Sequence, residues 1–167
     1  LPEGSDLGLV SHSSIHTMAH LGEGQFGPLE LLVDAPAPYR AYYPAWSPDS
    51  KWLAYNVSTG DCIDDPDSEV WVVDREGTTP IRLAAMNLTG PIHNSWPRWG
   101  PLPDDDVLWL AVSSRRPYGA VVSGVPQIWV AGFDPARAAL GVDPSWPAFW
   151  LPGQDITTGN HVPIWVP

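Results

Sequence analysis

The feature that most constrains this chain is a phrase that occurs twice in full and once in part. Tyr43-Pro44-Ala45-Trp46-Ser47-Pro48-Asp49-Ser50-Lys51-Trp52-Leu53-Ala54-Tyr55 reads as short strand, tight turn, strand. Ser95-Trp96-Pro97-Arg98-Trp99-Gly100-Pro101 begins it again, and Val107-Leu108-Trp109-Leu110-Ala111-Val112-Ser113 supplies the matching second strand. His161-Val162-Pro163-Ile164-Trp165-Val166-Pro167 begins it a third time. Trp46 and Trp99 lie 53 residues apart, Trp99 and Trp165 66 apart. Recurrence at such a period means that one structural unit is reused.

The first full unit spans 42–84. Ala45-Trp46 is its inner strand, Ser47-Pro48-Asp49-Ser50 a turn, and Lys51 to Ser58 a strand with alternating apolar residues. Glu69 to Asp74 is a third strand, apolar enough to be buried on both faces. Arg75-Glu76-Gly77-Thr78 is a hairpin turn, and Thr79 to Leu83 a fourth strand. The second unit, 95–155, takes Trp99, Val107–Ser113, Gln127–Ala131 and Ala148–Leu151 as its strands. Insertions at 116–126 and 134–147 lengthen it. Within the latter, Asp134 caps and Pro135 opens a short helix that Gly141 ends. Residues 1–37 read as the end of a preceding unit, with Ser14–Met18 matching Glu69–Val73. Residues 161–167 read as the first strand of a following one.

Composition agrees. Twenty prolines and fifteen glycines oppose long helices, and ten tryptophans suit half-buried pleated surfaces. At 167 residues with 44% hydrophobic content, a real core is expected. A formal charge of −11 argues against nucleic acid or an anionic membrane surface as partner. No apolar run is long enough for a transmembrane helix, so membrane insertion is not expected. Leu1 in place of an initiating Met, with no signal segment in view, suggests a processed chain or a piece of one. One cysteine, Cys62, excludes an intrachain disulfide.

Four-stranded units of about 40–50 residues are the blades of β-propellers. Pro44-Ala45-Trp46-Ser47-Pro48-Asp49-Ser50-Lys51, Trp71-Val72-Val73-Asp74 and Trp96-Pro97-Arg98-Trp99 resemble the repeats of TolB-type propellers, relatives of the WD-repeat class. Gly100-Pro101-Leu102-Pro103-Asp104 departs from the tight turn of that pattern. The expected fold is an all-β, incomplete propeller of antiparallel four-stranded blades, two full and two partial. Closure needs at least about four blades. Open apolar faces are therefore expected at both ends, with the remaining blades on another chain or copy.

His93 and His161 both stand just before an inner strand, where neighbouring blades bring entry loops to one channel rim. They are candidate ligands for a divalent metal or an anion, or they bond the backbone of their own loops. Asp61, Asp64, Asp65 and Asp67, with Glu69, make an oxygen-rich loop of the kind calcium takes, although no glycine sits at an EF-hand turn position. The same residues equally make a solvated acidic loop. His12, His16 and His20 recur every fourth residue. Arg115-Arg116 either grips a carboxylate or ties down the following insertion.

Gly-x-Ser-x-Gly, phosphate-binding glycine loops, His-Glu-x-x-His and cysteine pairs are all absent. The expectation is a non-catalytic binding or scaffold module. The TolB resemblance implies a periplasmic or extracellular setting with protein partners. The alternatives are a propeller portion supporting an enzyme on another chain, or a ligand or metal site at the channel rim.

Overall fold

The computed structural model describes residues 12–60, 62, 65–91, 93–101, 106–119 and 124–166. Two four-stranded antiparallel sheets dominate it, each laid out in chain order and neither closed. The first is β5 (Arg40–Trp46), β6 (Trp52–Ser58), β7 (Glu69–Asp74) and β8 (Ile81–Arg82); the second is β9 (Ser95–Trp99), β10 (Leu108–Ser114), β11 (Gln127–Phe133) and β12 (Phe149–Trp150). Upstream, β1 (Ile15–Thr17) pairs with β4 (Glu30–Val33), and β2 (His20–Gly22) pairs with β3 (Gln25–Phe26) as an unexpected hairpin between them. Two short helices, α1 (Ala84–Asn87) and α2 (Pro135–Ala139), complete the described elements.

The inner strands are longer than the sequence reading gave: β5 starts at Arg40 rather than Ala45, and β9 at Ser95 rather than Trp99. The fourth strand of the first sheet is shorter, Ile81–Arg82 alone. Residues 161–166 carry no strand. The α2 cap is as expected: the Asp134 carboxylate accepts from the N–H groups of Ala136 and Arg137.

The first sheet is covered on both faces, which is why β6 is apolar almost throughout. Trp52, Ala54, Val70 and Val72 pack against Leu110, Val112, Trp129 and Phe133 of the second sheet. Leu53, Tyr55 and Val73 pack the other way, against Ile15, Leu32, Val33 and Ala35. Gly77, with φ 74°, is required where the β7–β8 hairpin meets the upstream pair: a Cβ there would lie 2.5 Å from the Leu32 carbonyl oxygen.

Strand pairing makes the two sheets superimposable residue by residue. Trp46 opposite Leu53 corresponds to Trp99 opposite Leu110, and Tyr55 opposite Trp71 to Val112 opposite Trp129. The register of β5–β6 slips between Tyr42 and Ala45, and that of β9–β10 slips between Ser95 and Arg98, so each inner strand bulges at its X-Pro step. The bulge residues Tyr43 and Trp96 have φ of 51° and 56°, and Val162 in the third copy of the phrase has 56°. A β-branched residue almost never adopts that conformation. It persists where the surrounding structure determines it, so Val162 marks 161–166 as the same device without its strand partner.

The hydrogen bonds between successive units recur as well. Two residues before each of these positive-φ residues, a backbone N–H donates to a carbonyl at the entry to an earlier strand: Ala41 to Ser13, two residues before β1, at 3.0 Å; Asn94 to Ser68, directly before β7, at 3.2 Å; Asn160 to Pro126, directly before β11, at 2.8 Å. Ser13 and Ser68 return the bond through their hydroxyls, to Ala41 O at 2.9 Å and Asn94 O at 2.6 Å. Pro126 has no hydroxyl to do so. Three residues after the bulge, the tryptophan indole donates across the junction: Trp99 to Ala45 O at 2.9 Å and Trp165 to Arg98 O at 3.0 Å. Ala45 and Arg98 are the same position in their units. Within each sheet a carboxamide clamps the third strand, donating to the carbonyl and accepting from the N–H of one residue. Asn87 does this to Val70, and Gln154 to Ile128.

Candidate functional site

The inner strands bring one row of side chains together. The proline after each bulge residue and the positive φ before it turn the bulge side chain out of the pleat. Tyr43 and Trp96 then stack, ring centroids 3.8 Å apart and planes at 20°. His161 meets Trp96 edge-on at 6.0 Å, and the Arg98 guanidinium lies 5.8 Å from the Trp96 ring centre. The row therefore offers aromatic faces, an imidazole and a guanidinium along the inner edge of the repeat.

Behind the row lies a buried polar lattice. The Asn56 carboxamide donates to Asn94 O at 2.8 Å and to Ser68 Oγ at 3.1 Å, and accepts from the Trp96 N–H at 3.1 Å. The Tyr42 hydroxyl donates to Ser68 Oγ at 3.0 Å; burial, above all, raises its pKa. Asn94 reaches the Asn87 side chain at 3.1 Å. Arg116 closes the lattice, donating to Asn94 Oδ1 at 2.6 Å, Met86 O at 2.9 Å and Ser114 Oγ at 3.0 Å. Its guanidinium sits 4.9 Å from the Trp129 ring centre with no carboxylate partner among the described residues, and burial pushes its pKa down to about 10. Its buried Nη1 has no hydrogen-bond partner among the described residues.

His93 and His161 hold different places in their loops. His161 directly precedes the bulge residue, as Tyr42 and Ser95 do; His93 stands two residues earlier, in the place of Arg40, and its backbone N–H donates to Pro66 O at 3.3 Å. Among the described residues no group of three His, Cys, Asp or Glu side chains converges on a metal position. Of the acidic loop, Asp61 and Asp64 lie outside the described residues. Asp65 is buried and its Oδ1 accepts the Asp67 N–H at 2.7 Å, a local turn; the Asp67 side chain is exposed. Glu69 pairs with Arg82 at 2.6 Å. His16 lies in β1 and His20 in β2, where its ring meets Phe26 at 5.3 Å, while His12 precedes both strands.

Arg115 ties down the insertion, donating to Gly124 O at 2.8 Å, whereas Arg116 joins the two sheets, a role with no local signal. The 134–147 insertion is likewise less a free loop than a clamp. Asp143 Oδ2 accepts from the Ala85 N–H at 2.9 Å and Ser145 Oγ from the Met86 N–H at 3.1 Å, capping α1 from 58 and 59 residues away. The signal that was legible is the Asp-x-Ser spacing of a turn; its target was not.

The second sheet turns an open apolar face outward. Trp109, Phe149 and Leu151 hold the places of Trp52, Ile81 and Leu83 in the first sheet. The former are 38, 49 and 41% exposed; the latter 7, 7 and 0%. Pro163, Ile164 and Trp165 cover part of this face over Ala111, Ile128 and Val130. No protein-family model, curated protein or solved structure matches the chain.

Proposed function

We propose that this chain is part of a β-propeller of the TolB-like kind, two full blades with portions of two flanking ones, and that it works as a non-catalytic binding or scaffold module in a larger extracytoplasmic assembly. The observation that carries the reading is the repeated junction. The N–H bond to a carbonyl at the entry to an earlier strand occurs at each of three junctions, and the indole bond at two. One geometry propagated from unit to unit is what rotates blades about an axis. The open face of the second sheet, with Trp109 where Trp52 is buried, supports continuation into a further blade. A binding rather than catalytic role is supported by the buried polar lattice: Asn56, Ser68, Asn87 and Asn94 all hydrogen-bond to one another or to strand backbone. Rigid blades would then present the inner aromatic row and the loops. The acidic charge and the TolB resemblance support an extracytoplasmic setting.

The test is the mass of the native particle together with denaturing analysis of its components. A particle holding more copies of the repeat, from this chain or another, supports the reading. A folded 18.2 kDa monomer with no further repeat would sink it.

A further inference from the structure

Between β4 with its following loop and the upstream-facing side of the first sheet lies a cavity of about 470 Å³. Tyr55, Val57, Trp71 and Val73 form its floor; Tyr39 and Asp34 stand among its walls. The corresponding place at the junction of the two sheets is filled from within. There Met86, fully buried, and the guanidinium of Arg116 occupy the space over Trp129, and Tyr118 packs beside that ring at 6.3 Å. Strand register puts Trp71 in the place of Trp129 and Val57 in the place of Ser114; counted on two residues from that pair, Thr59 stands for Arg116, and the loop after β4 follows its strand as α1 with Met86 follows β8. Thr59 is too short to reach across the ring, so the slot that the chain fills once with its own side chains is left unfilled by the described residues the other time.

The two slots differ in polarity. Arg116 is held by Ser114 and Asn94, whose places are taken at the first junction by Val57 and Ala41. A guanidinium would find no such partners there, but an uncharged ring would. The carboxylate lining this cavity is Asp34, exposed to solvent, on a chain of net charge −11. From this we infer that the cavity is a binding site for a small organic molecule with an aromatic body and a cationic head, the ring lying over Trp71 and the head beside Asp34. Its volume lies within the range of small-molecule sites, and charge selects amines over carboxylates.

Calorimetric or NMR titration with 2-phenylethylamine tests this, with 3-phenylpropionate as the anionic control. The amine is expected to saturate with a Kd of about 0.1–1 mM, as suits a ligand of this size, and the carboxylate to bind at least about tenfold more weakly. Val57→Phe, which fills the slot, is expected to weaken the amine about tenfold or more while the circular dichroism spectrum is kept. Should that variant not fold, Tyr39→Ala at the exposed wall serves instead, with a loss of about threefold or more. Asp34→Asn is expected to weaken the amine and narrow its advantage over the carboxylate, and an unchanged amine affinity would overturn the placing of the head. No saturation by the amine, equal binding of the carboxylate, or amine binding indifferent to Val57→Phe, or to Tyr39→Ala where it stands in, would each overturn the assignment.

Discussion

The indole N–H of Trp99 donates to the backbone carbonyl of Ala45 at 2.9 Å, so the inner strand of the second sheet is pinned to the inner strand of the first. The ring is 8% exposed, so water cannot take the place of that acceptor. Trp99→Phe keeps most of the packing and removes the donor; it is expected to cost about 1–2 kcal/mol. Trp165→Phe, at an exposed copy of the same bond, is expected to cost under about 0.5 kcal/mol. Chemical denaturation of both variants checks the difference, and equal losses would refute it.

The carboxamide of Asn87 satisfies both polar groups of Val70, a residue with no exposed surface. Asn87→Leu leaves the buried Val70 N–H without its acceptor, while the Val70 carbonyl keeps the Leu83 N–H at 3.2 Å, and about 1–3 kcal/mol of stability is expected to go. Native-state hydrogen exchange at Val70 should rise in step.

Trp52 and Trp109 are the same position on two sheets, one covered and one open. Trp52→Ala is expected to cost about 3–5 kcal/mol, and Trp109→Ala, whose ring is 38% exposed, clearly less, about 1–2 kcal/mol. Comparable losses in thermal unfolding would mean that the outward face is covered in solution.

Asp74 closes the β7–β8 hairpin. Partial burial pushes its carboxyl up, but hydrogen bonds from Thr78 and Thr79 outweigh this and hold its pKa below the usual carboxylate value. The folded form thus binds the proton less tightly than the unfolded chain. The stability it contributes is present above the unfolded pKa and is lost as pH falls through the folded one. Asp74→Asn should therefore be less stable than the parent at pH 7, and the gap should close as pH falls through and below the ordinary carboxylate range. A gap of constant size across that range would contradict the assignment.

Much of the architecture was legible. The turn at Ser47–Asp49 and the period-two strands placed β6, β7, β10, β11 and β12 closely, because each depends on residues near in sequence, whereas the X-Pro-x-Trp phrase marked where the inner strands lie but not where they begin. The helix at Pro135 was legible for the same reason, since Asp134 caps its own neighbours. The β2–β3 hairpin escaped notice because His20–Phe26 is short and exposed and shows no alternation. The candidate site was less legible. His93 and His161 look alike in sequence, but register gives them different places. Arg116 was read beside Arg115, although its partners Met86 and Asn94 lie 30 and 22 residues away.

The sequence by itself determined the repeat, the all-β class and the turns, because strand periodicity and the backbone limits of proline and glycine act over a few residues. Only the tertiary structure decided which of two equivalent side chains is buried, that α1 is capped by Asp143 and Ser145, and that one junction is filled by Arg116 while the other keeps a cavity over Trp71. Those outcomes depend on what lies opposite across a junction. A hydrogen bond or a packed ring is defined by distance in space, which residues far apart along the chain do not encode until the sheets stack.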